Sequence, residues 1–261
     1  MTEKKKTKWL AVRILIVVIL LAGILYFAYF PGRQAFLAFS LASGIGIPRI
    51  QARVDTLEEK AIKARPFSAD DKHYLHDLFS CFVKGGRLTI VLRQTGTIMA
   101  HYLSGKGTPF KTNPRIFVKN KKVQKRMADL KRQVMNDLEK TGKVKTEYST
   151  PTFYMPDPSC LDSMFGLYYG RLLVRPKAAQ DGFIQLQWHA EVPWEWPSYE
   201  SQIKQSGNPH TKVTIIPNAL TLIKGQAGWL RIDDGLGEYL TRLGLAKPFL
   251  LYAEWTEELR P

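Results

Sequence analysis

The sequence is short of the patterns that announce a reaction. No Walker-type phosphate loop, Gly-x-Ser-x-Gly elbow, His-Glu-x-x-His pair, zinc-knuckle spacing or dinucleotide-binding glycine fingerprint occurs in it. That removes the sequence grounds for nucleotide, serine-hydrolase and zinc-protease chemistry. Gly105-Lys106-Gly107 is too short to cradle a phosphate, and no cofactor is expected. Cysteine is scarce: Cys81 and Cys160 are the only two in 261 residues, so one bridge is the most the chain can form. There is no internal repeat and no low-complexity tract. A composition of 45% apolar and 23% charged residues excludes a disordered chain.

Charge is missing altogether from Ile14–Phe30, ILIVVILLAGILYFAYF, a run of seventeen residues. As a helix it would cover roughly 26 Å, close to the hydrocarbon thickness of a bilayer. Lys4, Lys5, Lys6, Lys8 and Arg13 precede it, and only Arg33 follows closely. The asymmetry predicts a cytoplasmic N-terminus and a body on the far side of the membrane. Trp9, Tyr26 and Tyr29 suit the two interface belts. A cleaved signal peptide would have a shorter apolar core and a small-residue cleavage site, and Ser40-Leu41-Ala42 is a poor and distant substitute. An uncleaved anchor with ends at Ile14 and Phe30 is therefore preferred.

Beyond it, Pro31-Gly32 breaks the helix. Gln34–Ile47 is again apolar, with no acidic residue, and is read as lying either on the outer membrane surface or beneath the body. The expected organisation is a basic tail over 1–13, an anchor over 14–30, a juxtamembrane linker and helix over 31–66, a helical part over 67–145 and a β-rich part over 146–261. Ser68 and Asp71 form a capping arrangement. Leu75, Leu78, Phe79 and Phe82 make a helical stripe stopped by Gly85-Gly86. Val123, Met127, Leu130, Val134 and Leu138 make another, stopped by Gly142. Two aromatic and β-branched runs, Phe165–Arg175 and Gly182–Val192, read as a hairpin across Gln180-Asp181-Gly182. Further strands are expected at Lys212–Ile216, Gly228–Ile232 and Phe249–Trp255, with a short helix at Leu236–Leu243. Helices followed by a mostly antiparallel sheet define an α+β fold.

The formal charge of +15 is local: residues 111–145 carry twelve basic and three acidic side chains, whereas 146–261 carry ten and thirteen. Lys121, Lys125, Arg126, Lys131 and Arg132 flank the apolar stripe of one helix, which reads first as a solvated face. Its functional reading is attraction to anionic lipid or another envelope component, and no nucleic-acid partner is expected outside the cytoplasm. His73, His76, Asp77 and Cys81 stand at near-helical spacing without an established ligand pattern, so no metal site is expected. A Cys81–Cys160 disulfide is chemically allowed outside the cytoplasm. Glu191, Glu195, His189 and His210 are the weak catalytic candidates. Glu191 to Tyr199 packs Trp194, Trp196 and Tyr199 between carboxylates and prolines. Such a stretch lines a substrate groove in one reading and caps a core in the preferred one.

His101–Gly107 closing a helix, Leu167–Val174, and the strand Gly182–Glu191 leading to Pro197-Ser198 occur in an order similar to the activity domain of colicin M-type bacteriocins. The resemblance covers about residues 88–200 and implies hydrolysis of a lipid-linked peptidoglycan precursor. That family's Asp-x-Tyr-Asp run is here Glu191, Pro193 and Trp194, and no His-Arg pair follows, so its catalytic motif is not retained. The chain also resembles single-span envelope proteins of enteric bacteria, which implies location without activity. The combined expectation is a single-pass inner-membrane protein with a periplasmic body of binding type. The alternatives are a membrane-anchored hydrolase of a lipid-linked substrate and an immunity-type protein.

Overall fold

A computed structural model describes residues 22–88, 93–157, 159, 166–167, 169–178, 183–206, 213–217 and 229–260. Within them the fold is α+β, helices first and a mixed sheet after. The helices are α1 (Arg33–Ser43), α2 (Ile47–Ile62), α3 (Ala69–Leu88), α4 (Arg93–Leu103), α5 (Arg115–Val118), α6 (Lys121–Thr141), α7 (Tyr199–Ser206) and α8 (Asp234–Arg242). The strands are β1 (Phe110–Lys111), β2 (Tyr148–Ser149), β3 (Phe153–Tyr154), β4 (Tyr169–Ala178), β5 (Ile184–Trp194), β6 (Val213–Pro217), β7 (Trp229–Asp233) and β8 (Phe249–Leu259). Two compact units divide the chain: one holds residues through Cys81 with Val213–Ile232, the other Phe82–Lys212 with Asp233–Pro261.

In the first unit, residues 22–29 are helical. Gly32, at a φ of 57°, supplies the left-handed step that turns the chain into α1. The turn is held by Tyr26, whose hydroxyl donates to Ala35 O at 2.6 Å. The apolar run therefore does not end facing outward: Phe30 is 6% exposed, in ring contact with Tyr26 and Tyr29. Ile14 to Leu21 lie outside the described residues. Among those described, no single helix is long and apolar enough to cross a membrane. Only α1 and α2 together meet the length and composition, and they are bent by 116°.

The capping arrangement at Ser68 is present in both directions, Ser68 N donating to Asp71 Oδ2 at 2.9 Å and Asp71 N to Ser68 Oγ at 3.1 Å. Asp71 is also the buried centre of an ion cluster, 2.8 Å from Arg53 and 2.6 Å from Lys60. Burial pushes its carboxyl up, but Lys60 and Ser68 outweigh that and hold it below the usual range. Gly85-Gly86 does not stop α3, which continues to Leu88. Two helical glycines cost only about 1 kcal/mol each against alanine, less than packing returns.

The β6–β7 pair belongs mainly to this unit. Gln51 on α2 reaches β7 with its amide, Nε2 donating to Arg231 O at 3.0 Å and Oε1 accepting from Arg231 N at 2.8 Å.

In the second unit the sheet order is β1-β8-β5-β4-β2, with β3 also on β4. Every pairing is antiparallel except β1 with β8. The expected hairpin is β4–β5, in register from Arg171↔Glu191 to Ala178↔Ile184. Its turn, residues 179–182, lies outside the described residues. The strict alternation of β5 buries Ile184, Leu186, Trp188, Ala190, Val192 and Trp194 on one side. There Trp188, Trp255 and Phe117 stack at 6.0 and 6.5 Å. Val123, Met127, Leu130 and Val134 on α6 are buried, and Gly142 ends the helix in the left-handed conformation. Its first turn is closed from two sides. Asn120 Oδ1 accepts from Lys122 N and Val123 N, and the buried Asp157 accepts from Lys121 N at 2.6 Å.

Candidate functional site

The odd-numbered residues of β5 face the other way, and their neighbours are set by register. Arg171, Leu173 and Arg175 of β4 oppose Glu191, His189 and Gln187. Tyr252, Glu254 and Thr256 of β8 oppose the same three from the far side. Lys111 of β1 stands beside Tyr252. The result is a surface of exposed and half-buried polar groups three strands wide.

At its centre the His189 ring lies between two carboxylates, Nε2 at 3.4 Å from Glu191 and Nδ1 at 3.6 Å from Glu254. It stacks on Tyr252 with centroids 5.7 Å apart. Arg171 Nε donates to Glu191, and Lys111 Nζ donates to Glu254 at 2.5 Å. The Lys111 hydrogen bond, against a smaller opposing effect of burial, holds the Glu254 carboxyl below its ordinary range. Basic and acidic groups thus alternate across the strands as Arg171, Glu191, His189, Glu254 and Lys111. Beside them Leu173, Arg175, Gln187 and Thr256 line a shallow depression of about 400 Å³.

Of the catalytic candidates, this surface gathers His189 and Glu191 and leaves out Glu195. Glu195 is exposed beyond the end of β5; four residues of extended chain span about 13 Å, too far for two carboxylates to share one bond. His210 lies outside the described residues. Sequence reasoning missed Glu254, Arg171 and Lys111, which are up to 143 residues from their partners. The alternation in Phe249–Trp255 was the available signal, since it sets Tyr252 and Glu254 on one side.

The Trp-rich stretch belongs to the core. Trp194 stacks on Phe249 at 5.5 Å, meets Tyr102 edge-on at 5.1 Å and donates from Nε1 to Gly166 O at 3.0 Å. Trp196 and Tyr199 lie against Gly237 and Gly235, where a Cβ would stand 2.5 and 2.6 Å from a ring atom. Burial pushes the Tyr102 hydroxyl far up; it donates to Gly237 O at 3.1 Å and shares a 2.6 Å hydrogen bond with Thr241 Oγ1.

The expected basic face of α6 is partly neutralised. Lys131 is half-buried and paired with Glu257, so it is not part of a solvated basic face. Asp129 takes Arg132 at 3.2 Å and Arg126 at 3.8 Å. Lys121 and Lys125 remain exposed. Cys81 is buried, its thiol donating to Gln34 O at 3.4 Å; Cys160 lies outside the described residues. Asp77 accepts from Gln34 at 2.9 Å, and no group of three metal-ligating side chains occurs among the described residues.

The exposed large apolar side chains are concentrated. Ile24, Leu25, Phe27, Tyr29, Phe36, Phe39 and Ile45 are seven of the twelve among the described residues. Comparison of the chain with known protein families, curated proteins and solved structures returns no match.

Proposed function

We propose that this is a single-pass inner-membrane protein, N-terminus in the cytoplasm, whose periplasmic body binds another envelope component through the outer face of the β4–β5–β8 sheet. The observation that carries the binding reading is the mosaic of paired charges around His189. Its carboxylates are each engaged by a cation, so they offer a surface of fixed polarity, not a free acid and base. The depression beside it is open and of mixed polarity, with Leu173, Trp188 and Trp255 among the polar side chains of its lining, suited to a partner's side chains more than to an enclosed substrate. The membrane reading is supported by the uncharged run Ile14–Phe30, its preceding lysines and the exposed apolar residues that continue it.

Two measurements test it. An alkaline-phosphatase fusion after residue 60 is expected to be active; an inactive fusion overturns the topology. A photocrosslinker in place of Gln187 in intact envelopes is expected to capture a discrete partner, and one in place of the exposed Lys140 on α6 is not. Equal capture from both positions would remove the assignment to the sheet face. The alternative of a colicin M-like hydrolase draws less support, because Glu191 is spoken for by Arg171 and Glu195 stands apart.

A further inference from the structure

We infer that α1 is an interfacial helix, with Phe36, Phe39 and Ile45 seated in the headgroup–acyl boundary of the bilayer and the first unit thereby held flush against the membrane. This rests on the single-span reading above.

Two faces of α1 carry the inference. Ala35, Leu37 and Ser40 are buried in the first unit, while Phe36 and Phe39 are 54% and 52% exposed. Three residues apart, the two phenylalanines project from one side of the helix. Ile45, just past the left-handed Gly44, is 66% exposed. A soluble surface rarely gathers apolar rings so closely, and this patch follows within a few residues of the proposed span.

The patch is also rigid. Arg33 is fixed to Asp70 at 2.7 Å, Gln34 to Asp77 at 2.9 Å, and the Gln34 carbonyl accepts from Cys81. The rings are therefore presented by the body and not by a loose linker. Charge selects the occupant: no carboxylate occurs between Glu3 and Asp55. Arg33 and Arg53 are turned to Asp70 and Asp71, while Arg49 is exposed at the start of α2. An apolar strip that carries no carboxylate of its own, whose acidic neighbours Asp70 and Asp77 are engaged by Arg33 and Gln34, matches an anionic lipid surface.

The test uses the full chain reconstituted in vesicles of phosphatidylethanolamine and phosphatidylglycerol, with p-benzoylphenylalanine placed singly at Ile24, Phe36, Phe39 or Arg175. All four side chains are exposed, and thermal midpoints equal to the parent's verify folding. Lipid adducts are expected at Ile24, Phe36 and Phe39, and none at Arg175. Adducts at Ile24 alone would overturn the interfacial helix and leave the span standing. Adducts at Phe36 and Phe39 without Ile24 would keep the seat and overturn the span. No adduct at any of the three would overturn both. Crosslinks from Phe39 to a second copy of the chain would replace the lipid with a self-association surface and so overturn the seat.

Discussion

Alternate residues of β4, β5 and β8 serve two different surfaces. On one side Leu172, Val174, Trp188, Ala190, Val192, Leu251 and Ala253 are buried to 2% exposure or less. On the other, Arg171, His189, Glu191, Tyr252 and Glu254 meet one another in water. The backbone and hydrogen-bond ladder are shared, so the contrast isolates what side chains contribute. The first surface is packed against its neighbours and decides whether the chain folds. The second carries polar pairs whose net worth in water is small, which leaves it available for recognition.

Four expectations probe that division, beginning with the largest. Trp188→Ala removes the buried indole at one end of the Trp188–Trp255–Phe117 stack and should cost about 3–5 kcal/mol in urea unfolding; a loss near zero would mean that the inner face does not hold the sheet. Gly170→Ala places a Cβ 2.4 Å from Glu191 O on the neighbouring strand. It should destabilise by about 1–3 kcal/mol and disturb both faces at once, read as exchange protection lost along β4 and β5.

Asp157→Asn leaves one accepting oxygen where Oδ2 now serves Lys121 N and Oδ1 serves Ser159, so either Lys121 N at the head of α6 or Ser159 loses its acceptor. It should cost about 1 kcal/mol at neutral pH, the usual worth of a helix cap. Burial raises the Asp157 carboxyl, but Ser159 and the Lys121 amide outweigh that and hold it below the unfolded value. Its stabilisation is therefore complete above the unfolded pKa near 3.9 and disappears as pH falls through the lower folded one. Wild type and variant should converge in acid, as followed by circular dichroism. The smallest effect belongs to the outer face: a double-mutant cycle on Arg171→Ala and Glu191→Gln should give a coupling of about 0–1 kcal/mol, falling further in high salt. A coupling as large as the Trp188 effect would end the distinction between the faces.

How much of this was legible beforehand follows from length and separation. α6 could be read because five apolar residues repeat at helical spacing and Gly142 closes the run. β5 could be read from its alternation, and the hairpin with β4 from two adjacent runs. β1, β2 and β3, of two residues each, have no period to detect. Their pairing becomes visible only when Phe110 meets Leu251 or Tyr148 meets Val174 across the sheet. Gly85-Gly86 misled because a stop signal is weighed locally, whereas Leu75, Leu78 and Phe79, each at most 2% exposed, tie the helix into the fold. The site was half legible. His189 and Glu191 share a face by strand parity alone, but Glu254 joins them only through a register set about sixty residues further on.

The amide of Gln51 on β7 has a consequence for how the two-stranded ribbon ends. A strand whose outward N–H and C=O are vacant is a template on which another chain can extend the sheet. At Arg231 both groups are already taken by a side chain that imitates a neighbouring strand and then stops, because a glutamine has only one amide to give. The two-stranded ribbon is thereby terminated at that point, and replacing Gln51 would reopen it to polymerisation between copies.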